Sequence, residues 1–377
     1  MVIELRGVEF VNKGAELMFH AIKQQLDAKF PNAILVMEKT ARAPRNKHIE
    51  FDVYTKLNFQ RFKINWGKYG HLIPKSTRIK NNLILEEEVD IIIDASGFAF
   101  GDQWGADYGN RRLANKISVW KENGKKIILL PQAFGPFNKE GMSDMMETIL
   151  KNAELIFARE EKSLQFLKEL EFSESVYKFP DFTNLIKGNV PSEFDSQKNQ
   201  IPIIPNYKMI EKGVSKTTYL KFLVHCIEYM QSLKLNPFFL IHEGKRDQQI
   251  ADEVNKMIND KIDIIDPKDP IKVKGIIGVS QFVISSRYHG LISALSQGIP
   301  CITTTWSHKY KLVAQEYEVE KFLVDDLEDF SAISNSIQEL ADSSKRQIIT
   351  ERLLDKSQKF KIMTKEMWSK VFKVING

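Results

Sequence analysis

The stretch Gln281–Thr305, Q-F-V-I-S-S-R-Y-H-G-L-I-S-A-L-S-Q-G-I-P-C-I-T-T-T, decides how the rest of the chain is read. Phe282-Val283-Ile284 is a short apolar run that suits a buried strand. Ser285-Ser286 ends it with helix-capping chemistry, and Leu291, Ile292, Ala294 and Leu295 begin a helical face. Gly298-Ile299-Pro300 breaks that helix before Cys301-Ile302-Thr303 opens a second strand. This strand–helix–strand order places Arg287 and His289 at a strand's carboxyl end, where open parallel sheets bind their ligands. A fixed cation and an imidazole at a helix start make an anion site with a proton-handling group inside it. The plainer alternative is that Arg287 pairs with a surface carboxylate and His289 only caps the helix.

Working outward, the same alternation fills the chain. Strands are expected at Val2–Arg6, Ala33–Met37, Asp90–Asp94, Lys126–Leu130 and Glu154–Ala158. Helices are expected between and after them at Ala15–Leu26, Arg111–Asn123, Met142–Lys151 and Glu160–Leu170. The polar, aperiodic residues 187–200 read as a linker. A second series follows: strand Ile201–Pro205, helix Thr217–Gln231, strand Pro237–Ile241, helix Asp247–Met257, strand Asp263–Ile265 and helix Ile271–Ile277. From Arg346 to Val374 the apolar residues Ile349, Leu353, Phe360, Met363, Met367, Val371 and Val374 recur at helical spacing, which predicts a closing helix. The fold class is α/β, with two doubly wound, Rossmann-like parallel-sheet domains: 1–186, then 201–345, with 346–377 as the C-terminal helix. Such a pair suggests a cleft enzyme whose ligand lies between facing strand ends.

A chain of 377 residues is long enough for two cores, and its 43% hydrophobic and 27% charged residues are those of a soluble globular protein. No apolar run approaches a membrane span, and the N-terminus enters a strand pattern without a basic leader, so a cytoplasmic location is expected. Cys226 and Cys301 sit among apolar residues and match no metal-ligand spacing, as buried reduced thiols would. The net charge of +5 is uneven. Residues 41–82 hold ten Lys or Arg against Glu50 and Asp52, a local +8, leaving the remainder at −3. Phe51, Tyr54, Phe59, Phe62, Trp66 and Tyr69 are interleaved with those cations. Such a segment, read as an insertion, can rest on the anionic inner face of a membrane or stack on a sugar. It can equally be a loop with solvated cations. No nucleic-acid-binding motif accompanies the charge, so nucleic acid is not expected as a partner.

Three further segments carry candidate chemistry. In Asn12-Lys13-Gly14-Ala15-Glu16, between the first strand and helix, Gly14 lets backbone N–H groups approach a ligand, and Asn12 or Glu16 can hydrogen-bond it; Asn12 as an ordinary cap is the alternative. The loop 97–109 combines Gly97, Gly101, Asp102, Gly105, Asp107 and Gly109 with Phe98, Phe100, Trp104 and Tyr108, residue types that bind sugar hydroxyls and stack on sugar faces; a flexible loop with two Asx turns is the alternative. Phe157-Ala158-Arg159-Glu160 puts a second cation at a strand–helix junction, unless Arg159 pairs with Glu160 or Glu161. His242-Glu243 with Asp247 is the nearest approach to a metal-ligand cluster, and it reads better as a strand-end hydrogen-bonding group or a pocket lining.

Taken together, these segments, with Pro131-Gln132-Ala133-Phe134-Gly135-Pro136, Pro180-Asp181-Phe182 and Ser286-Arg287-Tyr288-His289-Gly290, resemble the polysaccharide pyruvyltransferases in order and spacing. The resemblance implies a GT-B-like fold, phosphoenolpyruvate as donor, and formation of a pyruvate ketal across two hydroxyls of a sugar in a polysaccharide or lipid-linked precursor. It implies donor-binding and catalytic positions at Arg287, His289 and Arg159, with Tyr288 inside the same motif, and an acidic residue at Asp102 or Asp107. No step of that reaction requires a metal or other cofactor. His289 is the natural proton donor and Asp102 the base for the attacking hydroxyl, while Asn12, Gly14, Gly97, Gly101 and His242 are the expected lining. Two rivals stand beside this reading: a nucleotide-sugar glycosyltransferase of the same architecture, and an inactive carbohydrate-binding or assembly protein.

Overall fold

The computed structural model describes residues 1–58, 60–61, 64–170, 175–304 and 309–377. The expectations for Phe59, Phe62, Lys63 and Thr305, and for the side chains of Arg61, Trp66 and Lys68, lie outside that description. Residues Met1–Val11, Met18–Phe182 and Met363–Gly377 make one compact unit, and Asn12–Leu17 with Thr183–Ile362 make a second.

The first unit is built on an eight-stranded sheet. Its spatial order is Val176–Lys178, Leu155–Ala158, Lys126–Gln132, Ile91–Asp94, Val2–Arg6, Ile34–Glu38, Tyr54–Lys56 and Leu83–Ile84. Every neighbouring pair is parallel. Parallel strands are covered on both faces, which is why Ile91-Ile92-Ile93-Asp94 is buried at all four positions rather than alternating. Helix Met142–Asn152 turns Met142, Met145, Met146, Ile149 and Leu150 into the core at the spacing expected of an amphipathic helix.

Three local differences from the sequence reading have physical causes. The strand expected at Lys126–Leu130 and ending in Pro131-Gln132 runs to Gln132, but its register against Leu155–Ala158 shifts between Leu129 and Gln132, across Pro131, which has no N–H to give the ladder. The helix expected from Arg111 is preceded by a turn at Ala106–Gly109 and a π-helical turn at Asn110–Ala114 before Asn115–Glu122. Residues 41–82, read as aperiodic, contain helices Arg45–Glu50 and Lys75–Lys80 and the strand Tyr54–Lys56, which joins the main sheet. Elements of three to six residues are too short to show a period. Nor are that segment's cations all solvated: Lys56 and Arg78 are buried, Lys56 against Glu4 and Glu38 and Arg78 against Glu88.

The second unit holds a six-stranded parallel sheet in the order Ile264–Ile265, Pro237–Leu240, Ile201–Ile204, Val283–Ser285, Cys301–Thr304 and Leu323–Val324. Helices Lys216–Ser232, Pro270–Gly278 and Tyr288–Leu295 pack their buried apolar faces on it. Residues of the expected linker lie against this unit: Asn189 N donates to Ile271 O at 3.1 Å, and a Cβ on Gly188 would sit 2.4 Å from Gly275 N. The closing helix is Ser343–Asn376, whose residues to Ile362 count with the second unit and the rest with the first. Among the described residues no helix is long and apolar enough to cross a membrane.

Candidate active site

In the second unit, side chains gather where the strands end. Pro237–Leu240 is followed by His242 and Glu243, Ile264–Ile265 by Asp266, and Val283–Ser285 by Arg287 and His289. Asn12, Lys13 and Gly14 belong to the same unit.

Arg287 occupies the N-cap position of helix Tyr288–Leu295 in an extended conformation, and Ser285 Oγ fixes its backbone by accepting from Arg287 N at 3.1 Å and donating to Arg287 O at 3.0 Å. Its guanidinium meets two carboxylates: Nε and Nη2 donate to Asp247 Oδ2 at 3.1 and 2.5 Å, and Nη1 donates to Glu243 Oε2. The pairing expected only as a surface alternative is therefore present, but buried. Asp247 also accepts from Tyr207 N at 3.0 Å, so it is anchored on both oxygens. Burial pushes Asp247 up to about 6 against the pull of Arg287. Burial alone would lower the Arg287 guanidinium, and Asp247 and Glu243 hold it above its ordinary value.

Gly14 is explained by His289. A Cβ at Gly14 would stand 2.1 Å from His289 Nδ1, so the glycine admits the imidazole against the first turn of helix Lys13–Lys29. Asn12 caps that helix: its Oδ1 accepts from Gly14 N at 2.8 Å and Ala15 N at 3.2 Å, while its Nδ2 donates to Glu243 Oε2 at 3.1 Å. Lys13 is a site residue that the sequence reading passed over. Its buried ammonium donates to Ile241 O and to Asp266 Oδ1, both at 2.9 Å, and burial lowers its pKa. His242 is buried, and its Nδ1 has no hydrogen-bond partner among the described residues. Burial, then Arg287, Lys13 and His289, drives its pKa well below the ordinary imidazole value, so the ring is neutral. Tyr288 is buried, with Lys309 Nζ 4.9 Å from its ring centroid.

The remaining candidates belong to the first unit. Asp102 accepts from Asn138 N at 3.0 Å and Lys139 N at 3.1 Å, bracing its loop. Asp107 lies in the turn Ala106–Gly109 and is exposed. Gly97 adopts φ +70°, and a Cβ on Gly101 would stand 2.6 Å from Gly135 O, so both glycines serve backbone geometry. Arg159 is buried at the end of Leu155–Ala158, 3.5 Å from Asp181 Oδ2 and 3.8 Å from Glu160 Oε2. The Glu160 alternative is thus partly realised, and Asp181 is its unforeseen companion. Among the described residues no group of His, Cys, Asp and Glu is placed to hold a metal ion.

The match to known families starts at the same asparagine. The family profile described as polysaccharide pyruvyl transferase covers residues 12–308. The chain belongs to the polysaccharide pyruvyl transferase family. That family is one of transferases, and the matched span takes in every candidate residue described above, from Asn12 to His289. No curated protein sequence matches the chain. Solved structures similar to it include a UDP-GlcNAc 2-epimerase from Neisseria meningitidis bound to UDP-GlcNAc, with TM-score 0.63 and 11% identity over 99% of each chain. They also include Anabaena HepE in complex with UDP and glucose, at 0.59 and 12% over 100% of this chain and 99% of that one. A glycosyltransferase from Rickettsia africae matches at 0.58 and 14% over 99% and 98%. At such identities the likeness gives the fold, which is GT-B-like, and nothing finer.

Proposed function

We propose that this member of the pyruvyl transferase family transfers the pyruvyl group of phosphoenolpyruvate to two hydroxyls of one sugar, in a polysaccharide or its lipid-linked precursor, and closes a cyclic ketal. The observation that carries the reading is the constellation of Arg287, His289 and His242 at neighbouring strand ends, with the Lys13 ammonium on Ile241 O and Asp266 beside them and Gly14 vacated to admit the imidazole. Phosphoenolpyruvate presents a carboxylate and a phosphate, which suit a guanidinium and the first-turn amides of helix Tyr288–Leu295. Of the two acids on Arg287, Asp247 has a fully buried side chain and Glu243 one that is 19% exposed. In this proposal Asp247 holds the guanidinium permanently, and Glu243 yields its place to a donor oxygen.

The chemistry then runs in two additions. A protonated His289 gives its proton to the methylene carbon, leaving the adjacent carbon cation-like for attack by a sugar hydroxyl. Asp102 is assigned the proton of that hydroxyl. The C–O bond to phosphate breaks as phosphate leaves with the electron pair, and the second hydroxyl closes the ketal while its proton passes to the departing phosphate. Arg159 is assigned to the donor anion on the resemblance alone.

The test is phosphate release and ketal formation from phosphoenolpyruvate with an acceptor-glycan library. His289→Ala is expected to lower turnover by roughly 10² to 10⁴-fold while the far-UV spectrum and melting temperature hold. Near-normal turnover in that variant sinks the assignment. The rival glycosyltransferase reading is separated by thermal shift, since phosphoenolpyruvate and nucleotide sugars would stabilise the fold differently.

A further inference from the structure

Within the second unit, the peptide that joins Ser286 to Arg287 is held from several sides. Ser286 is buried, and its N donates to Ile204 O at 3.0 Å. Its carbonyl accepts from Asn206 Nδ2 at 2.7 Å and from Tyr310 Oη at 3.1 Å. Its Oγ accepts from Tyr219 Oη at 2.8 Å and from Thr304 Oγ1 at 2.7 Å. Hydroxyls and an amide from elsewhere in the unit therefore converge on the residue just before the candidate anion-binding arginine.

Asn206 links this peptide to the guanidinium. It is buried just past Ile201–Ile204, the strand that pairs with Val283–Ser285. Its Oδ1 accepts from Lys208 N at 3.0 Å, which fixes the carboxamide with Nδ2 on Ser286 O, and its own N donates to Tyr219 Oη at 2.9 Å. The next residue, Tyr207, gives its N to Asp247 Oδ1, and Asp247 Oδ2 takes Nε and Nη2 of Arg287. Adjacent residues thus hold Arg287 at two points, the backbone through Ser286 O and the guanidinium through Asp247. The same peptide aims the start of helix Tyr288–Leu295. A guanidinium and helix amides bind an anion best when both are in place beforehand, because each rotor frozen on binding costs affinity.

We infer that Asn206 is a positioning residue for anion binding at Arg287: by donating to Ser286 O it fixes the Ser286–Arg287 peptide, and with it the guanidinium and the first amides of the helix. The inference rests on the donor site proposed for Arg287 and adds the residue that preorganises it.

The test is isothermal titration of the full chain with phosphoenolpyruvate and, separately, with inorganic phosphate. Asn206→Asp is the sharpest variant, because it is isosteric and its carboxylate still accepts from Lys208 N but cannot donate to Ser286 O. At about pH 8 it is expected to bind phosphoenolpyruvate roughly tenfold or more weakly than the parent. Toward about pH 5 its affinity should return to the parent's, since burial beside a carbonyl favours a protonated carboxyl that restores the donor. Asn206→Ala, which cannot donate at any pH, should stay weak throughout. Circular dichroism and melting temperature check that both variants fold, and a residue serving the fold alone would move the melting temperature without this return of affinity. Parent-like affinity of both variants at about pH 8, or an Asn206→Asp deficit that pH does not change, overturns the inference. Should the parent bind phosphate but not phosphoenolpyruvate, the proposed donor falls, and the same comparison made with phosphate decides the role of Asn206. A parent that binds neither anion overturns both.

Discussion

Each unit buries a cluster of charges near its strand ends, and one acid in each, Glu38 in the first and Asp247 in the second, is shifted in the opposite direction to the other. In the first, Glu4 and Glu38 share Arg6 and Lys56, with Lys56 Nζ 2.6 Å from Glu4 and 2.9 Å from Glu38. In the second, Glu243 and Asp247 both pair with Arg287. Burial would raise Glu38, yet Arg6 and Lys56 overcome it and hold Glu38 down to about 2. Burial raises Asp247 to about 6, and one guanidinium divided between two acids does not reverse it. The number of cations per carboxylate and the depth of burial set the sign, not the presence of an ion pair as such. Glu38 is held ionised by its cations. The second cluster has an acid, Asp247, that burial raises to about 6 beside the proposed donor site.

The largest effect expected from this contrast is on stability. Lys56→Ala strips Glu4 of one of its two cations in a fully buried setting, and urea unfolding should show a loss of about 3–5 kcal/mol. A loss below 1 kcal/mol would mean that Arg6 alone satisfies Glu4.

Gly14→Ala should do the reverse, damaging function while sparing stability. Alanine is the better helix former by about 1 kcal/mol, but its methyl would collide with the His289 ring. Turnover is expected to fall roughly 10²-fold through misplacement of the imidazole, with little change in melting temperature. In a His289→Ala background the same substitution should cost nothing further, and an additive loss would break the link between the two residues.

The smallest effect concerns pH. An acid whose folded pKa is raised binds its proton more tightly when folded than when unfolded, so its contribution to stability declines as pH rises from about 4 through 6. Asp247→Asn should therefore gain on the parent by roughly 1–2 kcal/mol between pH 4.5 and 7.5, whatever its fixed cost to the Arg287 pair. Glu38 has the opposite sign: its stabilisation is present above the ordinary carboxylate value and is lost as pH falls toward 2. A Glu38→Gln variant should accordingly show its deficit at pH 7 and little of it near pH 2. Parallel pH profiles for both variants would break the comparison.

Much of the fold was legible from local pattern. Val2–Arg6 was bounded to the residue, and helix Lys216–Ser232 and strand Ile201–Ile204 to within one residue at each end. The short elements inside 41–82 were not, because three residues of strand carry no period and their place in the sheet depends on a neighbour. The candidate site was legible as motifs but not as contacts. Asn12, Arg287 and His289 stand out as residue types at strand–helix junctions, yet the role given to Gly14, backbone approach to a ligand, missed that its bare Cα makes room for a ring 275 positions along the chain. Lys13 carried a signal in its place between Asn12 and Gly14. Its partner Asp266, 253 residues away, carried none. Glu243 and Asp247 offered a hint in their four-residue spacing across a helix start, where the N-cap and first turn can bring two acids to one cation.

By itself the sequence determined the alternation of strands and helices, the two parallel sheets and the residue types at their carboxyl ends. Those follow from apolar periodicity and turn chemistry, which act over a few residues at a time. Only the tertiary structure decided that Arg287 is clasped by two acids, that Lys56 is an interior charge, and that Glu38 and Asp247 shift in opposite directions. Charge energetics depend on distance through space and on the water removed, and neither quantity is written in the order of residues.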